Sequence, residues 1–143
     1  MRKLGGFVAA IAIVASTLVS GVAWAQHEKQ EGAALEAAKA WLELVDAGKY
    51  AESWDAGSSL FRGAVTKEQW VKALEGYRKP LGKLKSRTFA ASKYMTSVPG
   101  APDGEYVAIE YKTVFEHKAD GAETVTPMLD KDGTWRVSGY YMT

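Results

Sequence analysis

His117 is where acid–base or metal chemistry would have to start, because the other histidine, His27, lies in a polar stretch near the N-terminus. A nucleophilic triad needs a histidine within reach of a serine and an acid, and the spacing singles out neither. His117 ends an alternating segment beside Asp120-Gly121, the position of an exposed histidine at a turn. Zinc takes three or four ligands from Cys, His and carboxylates. One structured histidine and no cysteine do not make such a set, so neither a metal nor another cofactor is expected. Asp130-Lys131-Asp132-Gly133 opens like a calcium loop, but the twelfth position, where that loop needs a bidentate Glu, is Tyr141. Between two alternating segments it reads as a hairpin turn.

A general base must reach its proton and have its pKa tuned by burial. The apolar parity of the alternating segments carries Val107, Ile109, Tyr111, Phe115, Val125, Leu129, Trp135 and Val137, with Glu105 and Glu123 only at segment ends. No catalytic residue is therefore expected. The ligand-pocket candidates are aromatic: Trp41, Tyr50, Trp54, Trp70, Tyr77, Tyr111 and Trp135. Rings in that number can wall a small-molecule site, but the tryptophans lie on the apolar parity of their elements, which makes them core residues first. The opposite parity of the sheet holds Tyr106, Glu110, Lys112, Arg136 and Tyr140 with Thr124 and Thr126. That mixed face suits a partner protein or a second copy of the chain.

The elements that position these residues are readable from periodicity. Ala34, Leu35, Ala38, Trp41, Leu42 and Val45 follow the i, i+3, i+4, i+7 spacing of an amphipathic helix, which Gly48 ends as a C′ glycine. Tyr50, Ala51 and Trp54 mark a short second helix, and Thr66-Lys67-Glu68-Gln69 is a capping box opening a third through Trp70, Leu74 and Tyr77. Leu60 and Phe61, in the link 57–65, are too apolar for a free loop. From Lys83 onward Thr, Ser, Val, Tyr and Phe replace Ala, Glu and Leu, and four strands follow. In the first, Leu84 to Val98, Thr88 and Tyr94 share one parity and Phe89 and Met95 the other, which a bulge near Ala90-Ala91 reconciles. Glu105 to Lys118 is the second, Asp120-Gly121 the next turn, and the last two strands form a hairpin over Glu123 to Thr143. Three helices followed by four strands with short connections predict an α+β fold: helices laid on one face of an antiparallel meander, a cystatin-like cone.

Length and charge narrow the class. The 143 residues fit one domain after a leader is subtracted. Arg2 and Lys3, the uncharged run Phe7 to Val19, and Ala23-Trp24-Ala25 have the order of a secretory signal peptide, with cleavage expected after Ala25. The apolar run is short for a ~30 Å hydrocarbon core, so no membrane anchor is expected after cleavage, and the address is periplasmic or secreted. Gln26 to Gly32 is expected as a disordered lead-in to a single domain over 33–143. The formal charge of +1 becomes −1 without Arg2 and Lys3. The local concentration of cations between Lys79 and Arg87 belongs to a turn and strand start, where solvated charge is ordinary, so no nucleic-acid partner is expected. The absence of cysteine excludes disulfides, thiolate sites and a cysteine-linked lipid.

Four segments resemble a bacterial exported family catalogued as domain of unknown function 4019: AWLELVDAGKYAESWD (Ala40 to Asp55), VTKEQW (Val65 to Trp70), PGAPDGEY (Pro99 to Tyr106) and VTPMLD…GTWRVSGYY (Val125 to Tyr141). The resemblance covers nearly all of the chain after the leader. It implies a fold similar to nuclear transport factor two-like domains, which include pocket enzymes, binding modules and assembly domains, and it implies no activity. The expectation is an exported, non-catalytic module binding a small ligand or an envelope protein. The alternatives are a small cofactor-free pocket enzyme, isomerase- or hydrolase-like, and an envelope scaffold that forms a homodimer through the sheet.

Overall fold

In the computed structural model the backbone of residues 4–143 and the side chains of residues 25–143 are described. The expected leader and its cleavage site lie outside the residues described in full. The chain divides into two units, Met1–Gly32 and Ala33–Thr143. In the first, the described backbone is helical and belongs to α1 (Leu4–Asp46). Gln26 to Gly32, expected as a disordered lead-in, is thus helix. Among the described residues no helix is long and apolar enough to cross a membrane.

The second unit is α+β. The C-terminal part of α1 is followed by α2 (Tyr50–Asp55), α3 (Ser59–Ala64), α4 (Lys67–Tyr77) and a 3-10 turn, then β1 (Leu84–Met95), β2 (Tyr106–Phe115), β3 (Lys118–Leu129) and β4 (Trp135–Met142). The strands form one antiparallel meander in the order β1-β2-β3-β4. The apolar stripe of α1 is buried as its spacing requires: Ala34, Ala38, Trp41, Leu42 and Val45 join Leu74 of α4 and Val107, Ile109, Val125, Trp135 and Val137 of the sheet in one core. Gly48, at φ +75°, ends α1 in a left-handed conformation that costs a glycine no Cβ clash. Thr66 and Gln69 make both reciprocal bonds of the capping box on α4. The helix not foreseen is α3. Ser58 caps it by accepting from the Phe61 N–H, and Phe61 is buried, which is where the apolar pair Leu60-Phe61 goes.

The sheet has four register shifts, one of them between β2 and β3 at Thr113–Phe115, and the three on the outer strands decide which way those strands face. Ala90 is the extra residue between the pairs Phe89↔Tyr111 and Ala91↔Glu110, so Phe89 and Tyr94 share the inner face, as the broken parity of the sequence required. Lys85 is a second extra residue near the start of β1. The third was not foreseen: Thr126 pairs with Gly139 and Pro127 with Val137, leaving Ser138 over. Pro127 has no N–H to give the ladder, and a proline within a sheet belongs at an edge or a bulge. The parity of β4 reverses at Ser138. Trp135, Val137 and Tyr140 face inward, so Tyr140, placed on the outer face by the alternation, trades places with its neighbour Tyr141, which is 66% exposed.

The turn between β2 and β3 also differs from expectation. It lies at Glu116-His117, and Asp120-Gly121 is inside β3. A Cβ on Gly121 would come within 2.9 Å of the Thr113 carbonyl oxygen and 3.5 Å of the Phe115 ring. This glycine lets an aromatic ring and a neighbouring strand approach closely; it does not make a turn.

Candidate functional site

The centre of the second unit is a line of touching rings. Phe61 meets Trp70 edge-on at 4.8 Å between centroids, Trp70 lies 6.0 Å from Trp41, and Trp41 meets Tyr140 edge-on at 5.2 Å. Buried indole N–H groups need acceptors, and here they find protein ones. Trp41 donates to the Ser53 carbonyl (2.8 Å), Trp70 to the Ser53 hydroxyl (2.9 Å), and Trp54 to the Val65 carbonyl (2.8 Å). These indoles tie α1, α2 and α4 together.

Beside the rings lies a buried charge network that corrects the expectation of an inner face without a carboxylate. Glu123 projects from the inner face of β3, and its side chain is 0% exposed. It accepts from Arg87 Nε (2.7 Å) and Nη2 (3.3 Å), from the Thr113 hydroxyl (2.7 Å) and from the Tyr140 hydroxyl. Register explains the convergence: Arg87 of β1 is opposite Thr113 of β2, and Tyr111, two residues before Thr113 on the same face, is opposite Glu123. Tyr140 reaches Glu123 only because the Ser138 bulge turns it inward. The other end of the network is Asp46, at the C-terminus of α1, which accepts two bonds from Arg87 (2.7 and 3.0 Å) and one from Arg78 (3.3 Å). Arg78, 3% exposed, also donates to the Gly82 carbonyl and lies 4.4 Å from the centre of the Phe115 ring, while its Nε has no partner. Arg87, expected among solvated cations, is instead enclosed between two carboxylates.

Burial opposes the charge of Arg87, but the hydrogen bonds to Asp46 and Glu123 and their negative charges outweigh it, so its pKa lies above the usual guanidinium value. Burial pushes the Tyr140 phenol up, and the charge and hydrogen bond of Glu123 push it further. Tyr140 is held as a neutral donor. Every Glu123 contact goes to a residue of the fold, and Glu123 is not among the lining residues of the clefts described next.

The seven aromatic candidates do not converge on one pocket. Trp70 and Tyr77 of α4 line a cleft of about 510 Å³ with Tyr140 and Tyr141 of β4, Leu74 and Lys118. Tyr111 lines a second, of about 520 Å³, between α1 and β1, with Glu36, Glu43, Asp46, Arg87 and Phe89. Tyr50 lines a polar one of about 360 Å³ with Asp46, Glu75, Arg78 and Glu116. Trp41 and Trp135 border a smaller hollow of about 300 Å³, and Trp54 lies under the Lys67 ammonium, 5.3 Å from its ring centroid. Of the interaction-face candidates, Glu110 and Lys112 are exposed. Tyr106 is instead 1% exposed, its hydroxyl donating to the Pro102 carbonyl (2.6 Å), because the loop between β1 and β2 folds over it. Tyr140 belongs to the inner face. Arg136 is committed to the β3–β4 turn, bonding Asp132 with both terminal nitrogens (2.8 and 2.9 Å) and reaching Asp130.

That turn is a hairpin, as expected. Asp130 accepts from the Ser59 hydroxyl and N–H, which fastens α3 to the sheet and, with lesser help from the Lys131 N–H and Arg136, lowers its pKa to about 2 against the opposing effect of burial. The hydrogen bonds from Arg136, then the Thr134 N–H, lower Asp132 as well. His117 is exposed at its turn, 3.7 Å from Glu116. Among the described residues no group of three or more His, Cys, Asp or Glu could hold a metal ion. The sequence named Glu123 and Tyr140 but set the first at a strand end and the second on the outer face; for Tyr140 the signal was Pro127, since a mid-strand proline announces a bulge in its own or a neighbouring strand.

Compared with known families, residues 37–140 match the family described as "Protein of unknown function (DUF4019)". No curated protein and no solved structure matches the chain.

Proposed function

The chain belongs to the DUF4019 family, and from that premise, which assigns a family and no activity, we propose that it is a non-catalytic module binding a small, largely apolar ligand in the cleft between α4 and the end of β4. One observation carries this reading. Tyr77 and Tyr141 are 74% and 66% exposed, and both stand at the cleft that Trp70 and Tyr140 also line. Exposed aromatic surface gathered at one place marks an interaction site more often than scattered single residues do. The volume, about 510 Å³, falls in the ~300–1,000 Å³ range of small-molecule sites. The module works outside the cytoplasm, in the periplasm or secreted, on the strength of the leader-like order of Arg2-Lys3, Phe7 to Val19 and Ala23-Trp24-Ala25.

A cofactor-free pocket enzyme is the competing reading, favoured by Tyr140, whose ring lines the cleft while its hydroxyl bonds a buried carboxylate. Against it, both Glu123 oxygens are occupied by Arg87, Thr113 and Tyr140 and the side chain is fully enclosed, whereas a general base must come within hydrogen-bond reach of its proton. Titration of the ¹⁵N-labelled protein with indole tests the binding reading. The Trp70 indole N–H and the backbone of β4 should shift while the Trp54 indole N–H stays in place, and Tyr77→Ala with Tyr141→Ala should weaken the response. No shift at millimolar indole, or an unchanged response in the double variant, would refute it.

A further inference from the structure

The outer face of the sheet, turned away from the core, carries a pair of opposite charges with no use inside the chain. Glu110 and Lys112 are exposed on β2, on the parity opposite to the core residues Val107 and Ile109. Opposite charges in a sheet stabilise it when they face each other across the ladder, yet here every ladder neighbour is short and neutral: Ala91 and Thr124 beside Glu110, Thr88 and Ala122 beside Lys112. Among the described residues the ion pairs are made by other groups, and neither Glu110 nor Lys112 joins one.

Such a pair is complementary to itself. A two-fold axis that lies between two stacked sheets and crosses β2 at Tyr111 carries Glu110 of one copy to a place opposite Lys112 of the other, and repeats the contact in reverse, as an isologous interface requires. We propose that the outer face joins two copies of this chain, with their β2 strands antiparallel across the interface and Glu110 and Lys112 pairing twice. The same rotation sets Ala122 against Thr124, and Thr88 against Ala91, of the second copy. Residues two apart on a strand are separated by about 7 Å and stacked sheets by about 10 Å, so the short flanking side chains leave room for the long ones of Glu110 and Lys112 to bend over them and meet. A foreign partner would need no match between this face and itself. Charge matching fixes orientation and excludes wrong partners more than it adds affinity, so the dimer is weak and forms in one register. None of these six residues lines the α4–β4 cleft, and the two readings stand or fall separately.

Sedimentation equilibrium of the full chain in low salt, from about 1 µM to 1 mM, covers the range of a weak dimer and should show a monomer–dimer equilibrium that weakens as salt is added. Glu110→Lys and Lys112→Glu each bring like charges together at both ends of the contact, and each should weaken dimerisation about tenfold or more. Neither side chain is buried, so both variants should keep a urea midpoint near that of the wild type. An equimolar mixture of the two variants should recover a heterodimer, and the chain carrying both substitutions should recover the homodimer. Rescue of this kind follows from the pairing alone and not from a general change in charge or stability. Absence of a dimer at the highest concentration would overturn the proposal, as would a dimer that survives both reversals, or reversals that neither mixing nor the double substitution rescues.

Discussion

Replacing Glu123 by alanine should be among the most damaging single changes the domain can suffer. The carboxylate is fully enclosed and receives four hydrogen bonds, two of them from Arg87. Without it Arg87 keeps only Asp46, and the Thr113 and Tyr140 hydroxyls lose their acceptor in the interior. Breaking a buried ion pair from one side costs about 3–5 kcal/mol, because the remaining charge stays buried, and a domain's whole stability is about 5–15 kcal/mol. Urea unfolding followed by tryptophan fluorescence should show the midpoint falling by more than about 1 M, given slopes of about 1–3 kcal/mol/M. Tyr140→Phe is the control. It removes one donor and leaves Glu123 bonded to Arg87 and Thr113, so the loss should be about 0.5–1.5 kcal/mol. The two changes share a hydrogen bond, and the double variant should lose less than the sum, with a coupling above about 0.5 kcal/mol. A Glu123→Ala loss under about 1 kcal/mol would mean that the carboxylate is solvated, and the argument that it is a structural anchor out of a substrate's reach would fall with it.

Trp41→Ala removes the ring touching both Trp70 and Tyr140 and should cost about 3–5 kcal/mol in the same assay. Asp130 has a folded pKa of about 2 against about 3.9 unfolded, so its contribution is fully present above the unfolded value and lost as pH falls through about 2. The thermal midpoint of the wild type should therefore drop more steeply between about pH 5 and 2 than that of Asp130→Asn. Tyr140 is raised above its unfolded value, so its contribution is complete below about pH 10 and declines above it. Alkaline unfolding should begin later in Tyr140→Phe, relative to that variant's own neutral stability. Mass spectrometry of the protein recovered from outside the cytoplasm should find Gln26 as the first residue, and a chain retaining Met1 would contradict the leader reading.

The order of elements was legible because each carries its own local signal: the apolar spacing of α1, the Thr66–Gln69 box, the change of composition after Lys83, the Asp132-Gly133 turn. The Ala90 bulge was legible too, since β1 is long enough for its parity to be seen to break. At β4 the same device left no trace within the strand itself, only Pro127 across the ladder. Only Trp135 and Val137 precede the extra Ser138, and Gly139 has no side chain to report a face, so Tyr140 and Tyr141 were exchanged. Gly121 was misread for a related reason, as a glycine after an aspartate signals a turn locally and its real cause, the Phe115 ring, comes from a different strand. Glu123 was misplaced by the second of these errors. Once the strand is begun at Lys118 instead of after Gly121, Glu123 moves from an end to the interior.

The bulges also bear on how copies of this protein meet in a crowded compartment. β1 and β4 are the two outer strands of the sheet, and each would offer unpaired N–H and C=O groups to a neighbour. An incoming strand needs a run of evenly spaced partners to zip alongside. On β1 the extra residues at Lys85 and Ala90 break that spacing, with Lys85 and Lys93 adding positive charge; on β4 Ser138 breaks it. Bulges and charged edges of this kind keep sheets from joining into fibrils. A chain without cysteine unfolds and refolds with no covalent memory of its pairing, and its irregular margins favour its own meander over a neighbour's.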